Sequence, residues 1–103
     1  MKIYQGTELK LNVSIEPIDG LEMENYDFDI EVFALPPRVL TFKKSDAIRV
    51  DANNYIILVD SNLIRTGEIK CKVTAYIPDG DFKDGFRTEV AVIYTGIEIV
   101  KLA

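Results

Sequence analysis

Histidine and tryptophan are absent from this sequence, and cysteine occurs once, at Cys71. Without an imidazole the chain cannot assemble a Ser-His-Asp or Cys-His nucleophilic site, a histidine metal site or imidazole acid–base chemistry. A lone cysteine cannot close an intramolecular disulfide. Small secreted domains often depend on disulfides, so folding inside a cell is the expectation. Cys71 has no basic neighbour on its own strand face to lower its pKa, which favours a small buried hydrophobe over a catalytic thiol.

Long apolar runs are missing too. None exceeds the five residues of Tyr55–Val59, against the roughly twenty that a membrane helix needs. Met1–Leu9 has no apolar segment ahead of its first acidic residue, so no secretory signal is expected. Positive charge is scarce: 12 Lys and Arg stand against 17 Asp and Glu, a net charge of −5. The longest basic run is Lys43-Lys44. DNA, RNA and anionic membranes are therefore not expected partners.

What remains is a chain of 103 residues, 48% hydrophobic and 28% charged, which suits one globular domain with its own core. The five Tyr, five Phe and many Val and Ile residues favour strands. The alternation bears this out along most of the chain. Over Glu8–Glu16, Leu9, Leu11, Val13 and Ile15 share one face, and Pro17 followed by Asp19-Gly20 ends the strand in a turn. Over Tyr26–Val32, Tyr26, Phe28, Ile30 and Val32 point inward, while Asp27, Asp29 and Glu31 form an acidic face that needs solvent or cations. Pro36-Pro37 breaks the run and suggests an edge or a crossing between sheets.

Val39–Phe42 and Ala47–Val50 read as short strands, and Asp51–Asn54 as a turn. Tyr55–Val59, apolar on both faces, reads as a central strand. Asp60-Ser61-Asn62 can cap one short helical turn, with Gly67 as its terminator. Thr66–Val100 then reads as a long hairpin. Ile69, Cys71, Val73, Ala75 and Ile77 face inward, the tip runs from Pro78 to Phe86, and Gly96 marks a bulge in an arm whose inward phase is ambiguous over Val90–Tyr94. The expected fold is all-β, a sandwich of seven to eight antiparallel strands with at most one short helical turn.

The hairpin tip holds the candidate site. Asp79, Asp81 and Asp84 are acidic, and Phe82 and Phe86 put rings where a turn does not need them. Counted as an EF-hand loop from Asp79, position 5 is Lys83, position 6 is Asp84 and position 12 is Val90, so that register fails. Another calcium geometry stays open beside the plainer reading of a polar tip. The two rings either anchor a partner or fold back over the open end of the sandwich. Glu68 and Glu89 could approach each other across the hairpin as a glycosidase-like pair, though nothing implies a pocket.

Taken together, the Gly6-Thr-Glu8 entry into the first alternating strand, Tyr26-Asp-Phe-Asp-Ile30, Asp51-Ala-Asn-Asn-Tyr-Ile-Ile-Leu-Val-Asp60, Leu63-Ile-Arg-Thr-Gly67, Ile77-Pro-Asp79 and Asp84-Gly-Phe-Arg-Thr88 resemble the N-terminal, immunoglobulin-like domain of phage upper-baseplate proteins and related tail-associated domains. The resemblance spans nearly the whole chain as a strand pattern. It implies an immunoglobulin-like sandwich and a non-enzymatic virion component of a phage or prophage, without cofactor or metal, that binds other tail or baseplate proteins or forms an oligomer. Such a protein would fold in the bacterial cytoplasm. Members of that group continue into a shaft or receptor-binding region, whereas this chain stops at Ala103, which implies an adaptor or decoration protein. On this reading Asp79, Asp81, Phe82, Asp84 and Phe86 are the expected partner contacts. The alternative is a carbohydrate-binding module, which would align rings such as Phe33, Tyr76 and Tyr94 on a flat face.

Overall fold

The computed structural model describes residues 1–15 and 23–101. Among these residues eight strands form two sheets: β1 (Lys2–Tyr4), β2 (Glu8–Ser14), β3 (Asp27–Phe33), β4 (Val39–Lys43), β5 (Ile48–Arg49), β6 (Asn54–Asp60), β7 (Gly67–Pro78) and β8 (Phe86–Val100). The larger sheet runs β1-β8-β7-β3-β4 and the smaller β2-β6-β5. Immunoglobulin sandwiches segregate their B, E, D and C, F, G strands in the same way, so the expected all-β, immunoglobulin-like sandwich is the fold observed. Its disulfide and tryptophan hallmarks are not used here.

Alternation builds the core. Leu11, Val13 and Ile15 from β2 and its end, Phe28, Ile30 and Val32 from β3, Tyr55, Ile57 and Val59 from β6, and Ile69, Cys71 and Val73 from β7 are buried in one cluster. Each large aliphatic or aromatic side chain so buried contributes roughly 1.5–3 kcal/mol relative to exposure. Two of the three acidic residues on one face of β3 have a lysine on a neighbouring strand: Lys43 on β4 lies 3.2 Å from Asp29, and Lys72 on β7 stands opposite Glu31.

Several expectations need correction. The sheets are not wholly antiparallel, because β1, unforeseen as a strand, pairs in parallel with β8 from Lys2↔Glu98 to Tyr4↔Val100. Three residues carry too little alternation to be read from sequence. Not one but three short 3₁₀ turns occur among the described residues, at Met23–Asn25, Lys44–Asp46 and Ser61–Leu63. The last is capped as expected, with the Asp60 carboxylate accepting from the Asn62 N–H at 2.9 Å, but it closes on Ile64, and Gly67 opens β7 instead.

Pro36-Pro37 lies in the connection between β3 and β4, which pair in the same sheet, so the chain does not cross between sheets there; of the two readings the edge holds, since β4 is an edge strand. Tyr26 precedes β3 and is half-buried, outside the core. β6 is central in its sheet, but only Tyr55, Ile57 and Val59 are buried, and Leu58 is 58% exposed on the outer face. Glu16, Pro17 and the Asp19-Gly20 turn lie outside the described residues.

Candidate functional site

The hairpin tip is held by its own backbone. Asp79 N–H donates to the Gly85 carbonyl at 2.9 Å, Gly85 N–H to the Phe82 carbonyl at 2.9 Å and Phe82 N–H to the Asp79 carbonyl at 3.3 Å. The Asp79 carboxylate accepts from the Asp81 N–H at 3.0 Å and faces Arg87 at 3.9 Å. Gly85 adopts a φ of +79°, which closes the loop at little cost only for glycine. Asp79 is thus spent on shaping the turn, and among the described residues no three acidic or cysteine side chains converge.

Asp81, Phe82, Asp84 and Phe86 are exposed, and the two rings remain about half uncovered. They do not fold back over the open end of the sandwich. The tip does bring the five residues marked in the sequence into one stretch of surface, with Phe86 as the first residue of β8.

β8 carries the part that the sequence left ambiguous. It pairs with β7 from Pro78↔Phe86 through Lys70↔Tyr94, which fixes its phase. Arg87, Glu89, Ala91 and Ile93 take the inner side opposite Ile77, Ala75, Val73 and Cys71. Phe86, Thr88, Val90, Val92 and Tyr94 take the outer side and are all exposed, Tyr94 at 67%. The register then shifts, and the single residue Ile69 stands where β8 inserts Thr95, Gly96 and Ile97. This is the bulge expected at Gly96. The Thr95 hydroxyl fixes it, donating to the Ile69 carbonyl at 2.8 Å and accepting from the Ile97 N–H at 3.1 Å, while Gly96 sits at φ +74°.

Among the described residues, the other edge of β8 is unpaired for most of its length. Among the described residues, β1 engages it only at Glu98–Val100, with Met1 N–H groups reaching the Gly96 carbonyl. From Phe86 to Thr95 the backbone has no described neighbour on that side. Long unpaired edges with apolar side chains present a template for another strand. Sequence reasoning missed this strip because it sought alternation. The available signal was the unbroken Val90-Ala-Val-Ile-Tyr94 run beside an arm whose own inward face was already assigned.

The other chemistry does not gather. Glu68 stands opposite Glu98, whereas Glu89 stands opposite Ala75 and 3.2 Å from Arg87. Seven residues of strand, about 23 Å, separate the two rungs, so the carboxylate pair does not form. Cys71 is buried, and burial pushes its pKa up to about 11, the reverse of an activated thiol.

A shallow groove near β4–β6 is lined by Asp27, Lys43, Lys44, Ala47, Arg49 and Tyr55. Its cations are engaged: the Lys44 amine donates to the Glu24 and Tyr26 carbonyls at 2.7 and 2.6 Å, Arg49 pairs with Glu24, and Lys43 pairs with Asp29. Phe33 and Tyr94 do share one row of the outer face, but Lys70 stands between them with its amine 6.0 Å from the Tyr94 ring centre. Tyr76 lies six residues further along β7, and its hydroxyl donates to Asp29 at 2.8 Å. The three rings do not make a stacking platform.

No family model, curated protein or solved structure matches the chain.

Proposed function

We propose that this chain is a non-enzymatic assembly protein of a phage or prophage particle, a tail- or baseplate-associated adaptor or decoration domain that works through protein–protein contacts. The observation that carries the contact role is the exposed outer row of β8, Phe86, Val90, Val92 and Tyr94, beside the free backbone edge from Phe86 to Thr95. A largely apolar, uncharged strip, broken only by Thr88, on an otherwise acidic domain suits burial against a neighbour. The Asp81, Phe82, Asp84 and Phe86 tip extends that strip at one end, with Asp79 beneath it. The particle assignment rests on the resemblance of the strand pattern to upper-baseplate domains. The lack of histidine and the buried, unactivated Cys71 fit a role without covalent chemistry.

Purified particles from a producing cell test the assignment. Quantitative mass spectrometry is expected to find the chain at a fixed copy number per particle. Its absence from intact, purified particles overturns the reading.

A further inference from the structure

Among the described residues four strand edges bound the two sheets, and three are blunted. β5 has two residues, β4 is short and follows Pro36-Pro37, and the outer face of β2 alternates Glu8, Lys10, Asn12 and Ser14. These are the devices that normally prevent sheets from joining edge to edge: short length, proline and charge. The free stretch of β8 is long and has no proline, and its two charges, Arg87 and Glu89, sit on the inner side; on the outer side Phe86, Thr88, Val90, Val92 and Tyr94 follow one another without a charge. Backbone N–H and C=O groups along such an edge are satisfied by an extended segment, which narrows the occupant to a strand.

We propose that the strand is β8 of a second copy of this chain, antiparallel about a two-fold axis at Val90, so that two five-stranded sheets become one of ten. The inference rests on reading β8 as a contact surface. The charge pattern of the strand permits pairing with a second copy, and charge and length together set the register. A two-fold axis through the sheet sets like face against like face, which requires a residue of β8 on the axis. Centring on Glu89 would set two carboxylates directly opposite each other, a destabilising pair.

Centring on Val90 sets Val90 against Val90, Phe86 against Tyr94 and Thr88 against Val92 on the outer side, with Glu89 against Ala91 and Arg87 against Ile93 on the inner. No charge then meets a like charge, and an aromatic pair closes each end of the seam. The lengths agree as well. In this register Gly85, where the hairpin tip begins, reaches Thr95, and β1 takes over the edge just beyond. Each copy spends the one edge among its described residues that is not blunted, so the assembly closes at two.

Sedimentation equilibrium on the purified chain from micromolar to millimolar concentration tests this. The wild type is expected to move from 11.6 kDa toward twice that mass, and Val90→Lys to weaken association at least tenfold. Leu58→Lys, on the outer face of the other sheet, is expected to leave it unchanged. The chain carrying both Phe86→Cys and Tyr94→Cys is expected to cross-link into a covalent dimer on mild oxidation, since directly opposed residues sit within disulfide reach; the Phe86→Cys chain is not.

A wild type that stays at 11.6 kDa throughout, or a Val90→Lys chain that associates as tightly as wild type, overturns the self-pairing. A monomeric wild type found in particles at fixed copy number overturns the self-pairing alone and leaves the contact role standing. Absence from particles with an intact dimer overturns the particle assignment alone.

Discussion

Phe28 and Tyr55 meet edge to face between the two sheets, with ring centres 4.8 Å apart and planes at 72°. One comes from β3 of the larger sheet and the other from β6 of the smaller, so the pair joins the two layers through the core. Both side chains are almost wholly buried, yet the Tyr55 hydroxyl has no hydrogen-bond partner among the described residues.

Two substitutions separate these effects. Phe28→Ala is expected to cost about 3–5 kcal/mol, the range for emptying an aromatic site in a core. Tyr55→Phe keeps the ring contact and removes only an unpaired buried hydroxyl, so it is expected to leave stability equal or raised. Denaturant melts of the two variants check this. A loss above about 1 kcal/mol in Tyr55→Phe would show that the hydroxyl is satisfied in solution.

Cys71 gives stability a dependence on alkaline pH. An unburied thiol ionises near its ordinary value of 9.0, whereas burial holds the folded one until about 11. The unfolded chain therefore loses its proton first. The contribution of Cys71 is complete below pH 9 and declines as pH rises toward about 11. Tyr55, raised mainly by burial, and Tyr76, raised mainly by its hydrogen bond to Asp29, add to the same decline. Melts between pH 8 and pH 11 on wild type and Cys71→Val check the thiol's share: the variant's curve is expected to fall less steeply, and identical slopes would count against it.

The bulge at Gly96 makes a sharper comparison. Its φ of +74° lies in the left-handed region, and a Cβ there meets nothing within 4 Å, so a side chain is penalised by backbone strain alone. Gly96→Ala is expected to cost about 1–2 kcal/mol. Gly80→Ala, with open space and no positive φ, is expected to be nearly neutral. Equal melting curves for the two variants would contradict the assignment.

Legibility in the sequence followed the contrast between strand faces. β2, β3 and β7 each bury one face and wet the other, so alternation located them and their core residues to within a position or two. β8 puts Val90, Val92 and Tyr94 outside and Ala91 and Ile93 inside, so hydrophobicity could not tell its faces apart. Its phase is set by the ladder to β7, a long-range property.

The parallel pairing of β1 has the same origin, joining Ile3 to Ile99 through nothing local. The Glu68–Glu89 separation was recoverable: counting back from the Pro78–Phe86 tip puts Glu89 opposite Ala75. Of the candidate contacts, Asp81, Phe82, Asp84 and Phe86 are exposed as a contact requires, while Asp79 is drawn into the turn. The rest of the strip was hidden by the ambiguity of β8.

The contact role of β8 is tested most directly by incorporation into particles. Cells producing particles with either Val90→Lys or Leu58→Lys in this chain supply the comparison, with mass spectrometry counting copies per particle. Both positions are exposed on strand faces, so both variants are expected to fold. The expected result is at least a tenfold loss of incorporated chain for Val90→Lys and wild-type copy number for Leu58→Lys. Val90→Lys at wild-type copy number would contradict β8 as the contact surface.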